Sequence, residues 1–196
     1  MLQFQNISST IANFNSVTVD IQWGGIVKVV GENGIGKTTL LKILSGLTKN
    51  FIGTIKADGF DIFENRSEFL SKTQSIFHGG LYDFLTVKEN MQIWSKKWSG
   101  VDISNAALKF FNLEQYSDYK ICEISMGTRR KVALSRLLIC PTPLWIVDEA
   151  DVYLDKNALE KLAGLFVNHT SRSGTIIFTS HGDFFDQISN QKIELF

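Results

Sequence analysis

Cysteine is scarce in this sequence: 196 residues hold only Cys122 and Cys140. Neither stands in a metal-type spacing, and a secreted disulfide scaffold carries more, so two reduced thiols are expected. An excess of charge of either sign is also lacking, with 20 basic residues against 20 acidic ones. That balance excludes a bulk field aimed at nucleic acid or an anionic membrane, and no nucleic-acid partner is expected. No run approaches the roughly 18 apolar residues of a membrane span, so any membrane role has to come through a partner chain. The opening stretch Met1–Thr10 has no basic segment followed by an apolar one and does not read as a signal peptide. Repeats, low-complexity tracts and linkers are missing too, which leaves one domain over 1–196 as the simplest organisation.

What is present alternates. Val17, Val19, Ile21 and Trp23 are interleaved with polar residues, the period of a half-buried strand. After the turn at Gly24-Gly25, Ile26–Val30 is a valine-rich run suited to a strand buried on both faces. A glycine-rich loop and a helix from Lys37 to about Leu47 follow. Thr54–Ala57 and Phe60–Ile62 around Asp58-Gly59 predict a hairpin. Thr86 and Glu89 form a capping box ahead of a helix whose apolar face is Val87, Met91, Trp94 and Trp98. A further helix is expected over Asn105–Phe111. Another, capped by Ser125, should run to about Ile139, with Ala133, Leu134, Leu137 and Leu138 inward and Pro141 and Pro143 stopping it. Leu144–Val147 and Thr175–Thr179 read as buried strands, with a helix from Asp155 between them whose apolar residues are Ala158, Leu159, Leu162, Leu165 and Phe166. Strands alternating with helices predict an α/β fold with a mainly parallel sheet. The segment from about 64 to 125 reads as a helical, strand-free lobe inserted in it.

Gly31-Glu32-Asn33-Gly34-Ile35-Gly36-Lys37-Thr38 fits the phosphate-loop pattern G-x-x-x-x-G-K-[ST], between a strand and a helix as the chemistry requires. Glycines let backbone N–H groups converge on phosphate oxygens, and the helix beyond presents its positive end. Lys37 supplies a point charge to the β- and γ-phosphates, and Thr38 a hydroxyl for magnesium. Asp148 closes the strand Leu144–Val147, placed to hold the magnesium shell, and Glu149 is placed to act as general base on a water. An Asp-Glu pair after an apolar run also looks like a helix cap. Arg129, Arg130 and Lys131 crowd the start of a helix, where the dipole disfavours cations; the helix end either faces an anion or carries a solvated basic face. His181 follows a strand directly, where a neutral imidazole can hydrogen-bond a phosphate oxygen or simply be a surface residue.

In this order, the pieces resemble the nucleotide-binding domain of ABC transporters across nearly the whole chain. Gly31–Thr38 resembles the Walker A loop, with Thr39 beside it, and Leu144–Glu149 the Walker B segment. Ile124–Thr128 resembles the family signature, Val152–Asp155 the D-loop, His181 the switch histidine, and Gly80–Asn90 the stretch after the Q-loop. The resemblance implies a P-loop NTPase fold of the ABC type, with an N-terminal antiparallel part and the helical lobe. It implies ATP and Mg2+ as cofactors, and two copies sandwiching ATP head to tail, with Ser125, Gly127 and Asp155 among the nucleotide-binding residues and the anion for the cationic helix end supplied in trans. It also implies a separate transmembrane permease, docked near Tyr82, Phe84, Trp94 and Trp98, and a peripheral place on the cytoplasmic face of the inner membrane; for the tryptophans the lobe's own core is the competing role. The sequence departs from the pattern at five places. His78 replaces the Q-loop glutamine and is a candidate metal ligand. Met126 replaces a glycine, Thr128 a glutamine and Ala150 a proline, and Tyr153 adds bulk. No aromatic is evident for the adenine, Phe4 being nearest. Within the family, the length, Arg129–Leu137 and Leu144–Glu149 resemble the haem-exporter ATP-binding subunits of bacterial cytochrome c maturation. The alternatives are an exporter ATPase for a drug, lipid or polysaccharide, a soluble repair or translation ATPase, and a regulatory module without turnover.

Overall fold

The computed structural model describes residues 1–98 and 100–196. They divide into two units: Met1–Ser75 with Thr142–Ala150 and Phe166–Phe196, and Ile76–Pro141 with Asp151–Leu165.

In the first unit, β1 (Leu2–Ser9) and β2 (Val17–Ile21) pair antiparallel. β3 (Ile26–Val30) leads through the glycine-rich loop into α1 (Lys37–Leu44). β4 (Phe51–Ala57) and β5 (Phe60–Asp61) form the expected hairpin around Asp58-Gly59, completing an antiparallel sheet of order β2-β1-β4-β5. β1 was not foreseen. Its register slips between Phe4 and Ile7, so Leu2, Phe4 and Ile7 all point inward and the two-residue period is lost. α1 also stops short of the expected Leu47. Gly46, at φ +70, takes the left-handed position of a Schellman motif: its N–H reaches the Ile43 carbonyl, and that of Leu47 reaches the Lys42 carbonyl at 3.0 Å.

α2 (Arg66–Ser71) is followed at once by β6 (Thr73–Ile76), a strand inside the segment expected to have none. β6 takes the edge of a five-stranded sheet of order β6-β7-β8-β3-β9, with β7 (Leu144–Val147), β8 (Thr175–Thr179) and β9 (Gln191–Glu194). Four residues of mixed polarity carry no period, so pairing alone decides β6; β9, with only Ile193 buried, escapes the eye for the same reason. β3, β7 and β8 are parallel and buried on both faces, as their apolar runs predict. Phe178 of β8 meets Phe166 and Phe185 at ring separations of 5.5 to 5.6 Å, and all three are fully buried.

The second unit is helical. The capping box holds at α3 (Val87–Trp98): Thr86 N–H donates to Glu89 Oε2 at 2.7 Å, and Glu89 N–H returns to Thr86 Oγ1 at 3.1 Å. Val87, Met91 and Trp94 are buried, which gives Trp94 to the unit's own core; Trp98 is half-buried. Asn90, fully buried, holds the loop before the helix through the Tyr82 N–H and the Tyr82 and Thr86 carbonyls. α4 (Ser104–Phe110) follows. The helix expected to run from Ser125 to Ile139 is broken into α5 (Met126–Leu134) and α6 (Arg136–Ile139). At the break, the Ser135 hydroxyl bonds back to the Lys131 carbonyl at 2.9 Å, a local contact that bends helices. α7 (Lys156–Thr170) starts where Asp155 caps it, Oδ1 accepting from Ala158 N–H at 2.8 Å. No helix among the described residues is long and apolar enough to cross a membrane.

Candidate functional site

The glycine-rich loop leaves β3 and enters α1 through Gly36, which sits at φ +115. A Cβ there would lie 2.9 Å from Ala12 and Phe14, so the position excludes larger residues on both conformation and space. The first-turn N–H groups of α1 have no carbonyl to bond within the helix, and no acidic side chain stands among Lys37, Thr38 and Thr39. Donors and helix dipole together make a cradle for an anion. Lys37 Nζ closes over the same loop, 2.7 Å from the Gly31 carbonyl and 2.9 Å from that of Glu32.

Asp148 emerges from the end of β7 at 2 % exposure. A carboxylate so buried needs hydrogen bonds on both oxygens. Thr38 Oγ1 donates to Oδ2 at 2.7 Å and Thr179 Oγ1 to Oδ1 at 2.8 Å. Thr179 Oγ1 also accepts from Glu149 N–H at 2.6 Å, and the Thr179 carbonyl accepts from Ala150 N–H at 2.7 Å. This brace holds Glu149 at φ +49, and its Oε1 lies 3.5 Å from His181 Nε2. Thr179 was missed in the sequence; the signal was a hydroxyl ending the strand whose Phe178 registers with Val147. The Thr38 hydroxyl beside one carboxylate is an all-oxygen donor set. It fits a hard ion such as Mg2+ that keeps waters and phosphate oxygens in its shell. Among the described residues no three His, Cys, Asp or Glu cluster to form a protein-only metal cage.

Ser125 caps α5, its Oγ accepting from Thr128 N–H at 3.1 Å, and Gly127 lies in the first turn. Two of the three cations find their anions inside this unit: Arg129 bonds Asp83, and Lys131 Nζ lies 2.5 Å from Asp155 Oδ2. Arg129 and Lys131 thus each have an anion within one copy, so their charge does not by itself call for one from a second copy. Lys131 and then the Ala158 N–H hold the Asp155 carboxyl below its usual range, so Asp155 is occupied as a helix cap and an ion-pair partner. His78 lines a pocket of about 180 Å3 in this second unit with Phe77, Met126, Arg130 and Tyr153, whereas Thr38 and Asp148 belong to the first. Phe4 is sequestered in the core at 1 % exposure and has no free face to offer a base. A cavity of the first unit, about 830 Å3, is lined by Thr73 and Leu144, the first residues of β6 and β7, among others. It thus lies at the other end of the sheet from Asp148 and has no part in the phosphate chemistry.

The phosphate cradle, the braced Asp-Glu pair and the histidine that meets it define a nucleotide-hydrolysing cassette. The chain belongs to the ABC transporter family, whose model matches residues 14–152, and it is an ATP-binding, ATP-hydrolysing subunit of that family. It is similar to the cytochrome c biogenesis ATP-binding export protein CcmA of Haemophilus influenzae, at 33% identity over 92% of this chain and 88% of that protein. It is likewise similar to that of Nitrosospira multiformis, at 36% over 86% and 84%, and to that of Vibrio vulnificus, at 34% over 93% and 91%. The fold matches a dimeric ATP-binding cassette in a post-hydrolysis state bound to ADP and Pi, with a TM-score of 0.87 at 22% identity over 100% of this chain and 94% of that one. It also matches an ATP-binding subunit of an ABC transporter, with a TM-score of 0.84 at 22% identity over 100% and 85%.

Proposed function

We propose that residues 1–196 form one ABC ATP-binding domain that powers a haem exporter of cytochrome c biogenesis. It works as a homodimer closed by ATP, beneath a separate transmembrane permease, peripheral on the cytoplasmic face of the inner membrane. The observation that carries the hydrolytic part of this reading is the hydrogen-bonded series Thr38, Asp148, Thr179 and Glu149, with His181 Nε2 3.5 Å from Glu149 Oε1; the likeness to the CcmA proteins supports the export role. The N–H groups of Gly31–Thr39 bind the phosphates, and the Lys37 ammonium turns from the loop carbonyls to the β- and γ-phosphate oxygens. Thr38 and Asp148 would hold Mg2+, which when bound neutralises charge on those oxygens. Glu149 takes a proton from a water as the water oxygen bonds to the γ-phosphorus and the bridge to the β-phosphate breaks, leaving ADP and inorganic phosphate. His181 orients the γ-phosphate. Ser125 and Gly127 of the second copy complete the pocket, because the free N–H groups opening α5 suit an anion. Tyr82 and Phe84, both exposed, offer the permease an apolar contact.

A second reading is favoured by Met126 and Tyr153, which are 50 % and 56 % exposed where the family pattern has smaller residues: a nucleotide-binding module that regulates with little turnover. Lys37→Ala decides the shared premise. Nucleotide affinity should fall at least about tenfold, the effect of losing about 1.4 kcal/mol of phosphate contact; normal affinity would remove the phosphate-loop reading. ATP hydrolysis by the chain assembled with its permease, raised by haem and not by lipids or drugs, separates the haem exporter from the other exporters and from the regulatory module.

A further inference from the structure

β3 reads Ile26-Val27-Lys28-Val29-Val30, and its lysine is as buried as its neighbours, at 4 % exposure. A buried lysine is rare unless paired. Lys28 Nζ lies 2.5 Å from Asp186 Oδ1 and donates to the Gly182 carbonyl at 3.0 Å. The Ser180 hydroxyl donates to that same carbonyl at 3.1 Å. Asp186 Oδ2 is taken by Lys192 at 2.8 Å, from the position of β9 that registers with Lys28. The two lysines hold the Asp186 carboxyl below its usual range, Lys192 foremost. A buried ion pair adds little stability over well-packed apolar residues, so stability alone does not explain a lysine inside β3. Its two partners, Gly182 and Asp186, follow His181 in the chain, Gly182 as its immediate neighbour, and its strand runs straight into the phosphate loop.

We propose that Lys28 is a positioning residue for hydrolysis. By holding the Gly182 carbonyl and Asp186 against β3, it fixes the backbone that sets His181 at Glu149. Misplacing a catalytic group by about 1 Å costs on the order of a hundredfold in rate. The inference rests on the proposed role of His181, and the test keeps the two apart.

ATP hydrolysis at saturating nucleotide and ATP affinity are measured for the 196-residue chain as wild type, K28M, K28R, K192M, H181A and K28M/H181A. K28M should lower kcat about tenfold or more, with nucleotide affinity and melting temperature held near wild type. K28R should restore most of the rate. K192M, which breaks only the exposed arm of the ion pair, should leave the rate near wild type. K28M should add nothing in the H181A background, since both act through one imidazole. An equal loss from K28M in both backgrounds, an equal loss from K192M, or a K28M loss that tracks melting would overturn the inference. If K28M does not fold, D186N enters the same cycle and must likewise lose its effect in H181A. A slow H181A beside a fast, folded K28M sinks the Lys28 inference alone; an H181A as fast as wild type sinks the histidine's role and this inference with it.

Discussion

The two units hold their functional groups in opposite ways. In the first, Asp148 is buried with a hydroxyl on each oxygen, and Thr179 braces both it and the Glu149 backbone. In the second, Met126 and Tyr153 turn to solvent, and Phe84 is 83 % exposed. Two cations of α5, Arg129 and Lys131, are held by partly exposed pairs with Asp83 and Asp155, of the kind that contribute little to stability. Buried hydrogen bonds fix geometry without help. Exposed apolar side chains such as Met126, Tyr153 and Phe84 leave a surface to be finished by another, as the proposed dimer and permease would do.

The sharpest way to break this contrast is Glu149→Gln. Hydrolysis should fall by on the order of 10² to 10⁴, the reach of a general base, while ATP binding persists; phosphate release together with nucleotide titration reads both, and unchanged turnover removes Glu149 from the chemistry. Thr179→Val comes next. It strips a donor from buried Asp148 and an acceptor from the Glu149 N–H, and should cost about 1–3 kcal/mol in urea denaturation. A cost near zero would mean that the first unit is not held as described. Met126→Gly probes the exposed side: turnover should rise about two- to fivefold, worth under about 1 kcal/mol in the barrier, with stability little changed. A fall would show that the methionine makes a productive contact. The smallest effect concerns His169, whose ring stacks on Trp145 at 3.6 Å and which burial pulls down to a pKa of about 4 from 6.5. The unfolded chain binds the proton more readily, so the neutral ring's contribution is intact above about pH 6.5 and is lost as pH falls toward 4. His169→Asn should flatten the melting-temperature profile across that window. A profile as steep as wild type would assign the acid sensitivity elsewhere.

What the sequence made legible was local. The phosphate loop, the buried strands β3, β7 and β8, and the caps at Thr86, Ser125 and Asp155 each show within a few residues of chain. What stayed hidden depends on pairing at a distance. β1 hides behind its register slip, and β6 and β9 are too short and polar to show a period. Arg129 meets Asp83 across 46 positions and Lys28 meets Asp186 across 158, so a helix start crowded with cations and a valine-rich strand were each only half understood. The Thr38–Asp148 hydrogen bond spans 110 positions, yet each residue stands out within its own local motif, because both motifs are of the kind that serves a magnesium ion.

Glu149 sits in the left-handed region, with its amide tied to a threonine hydroxyl. Side chains branched at Cβ are disfavoured there, while Asp and Asn adopt it readily. Sequence drift at position 149 is therefore fenced by shape as well as by charge. A descendant that gave up ATP turnover would reach asparagine or aspartate long before isoleucine, and would keep its nucleotide pocket intact when it did.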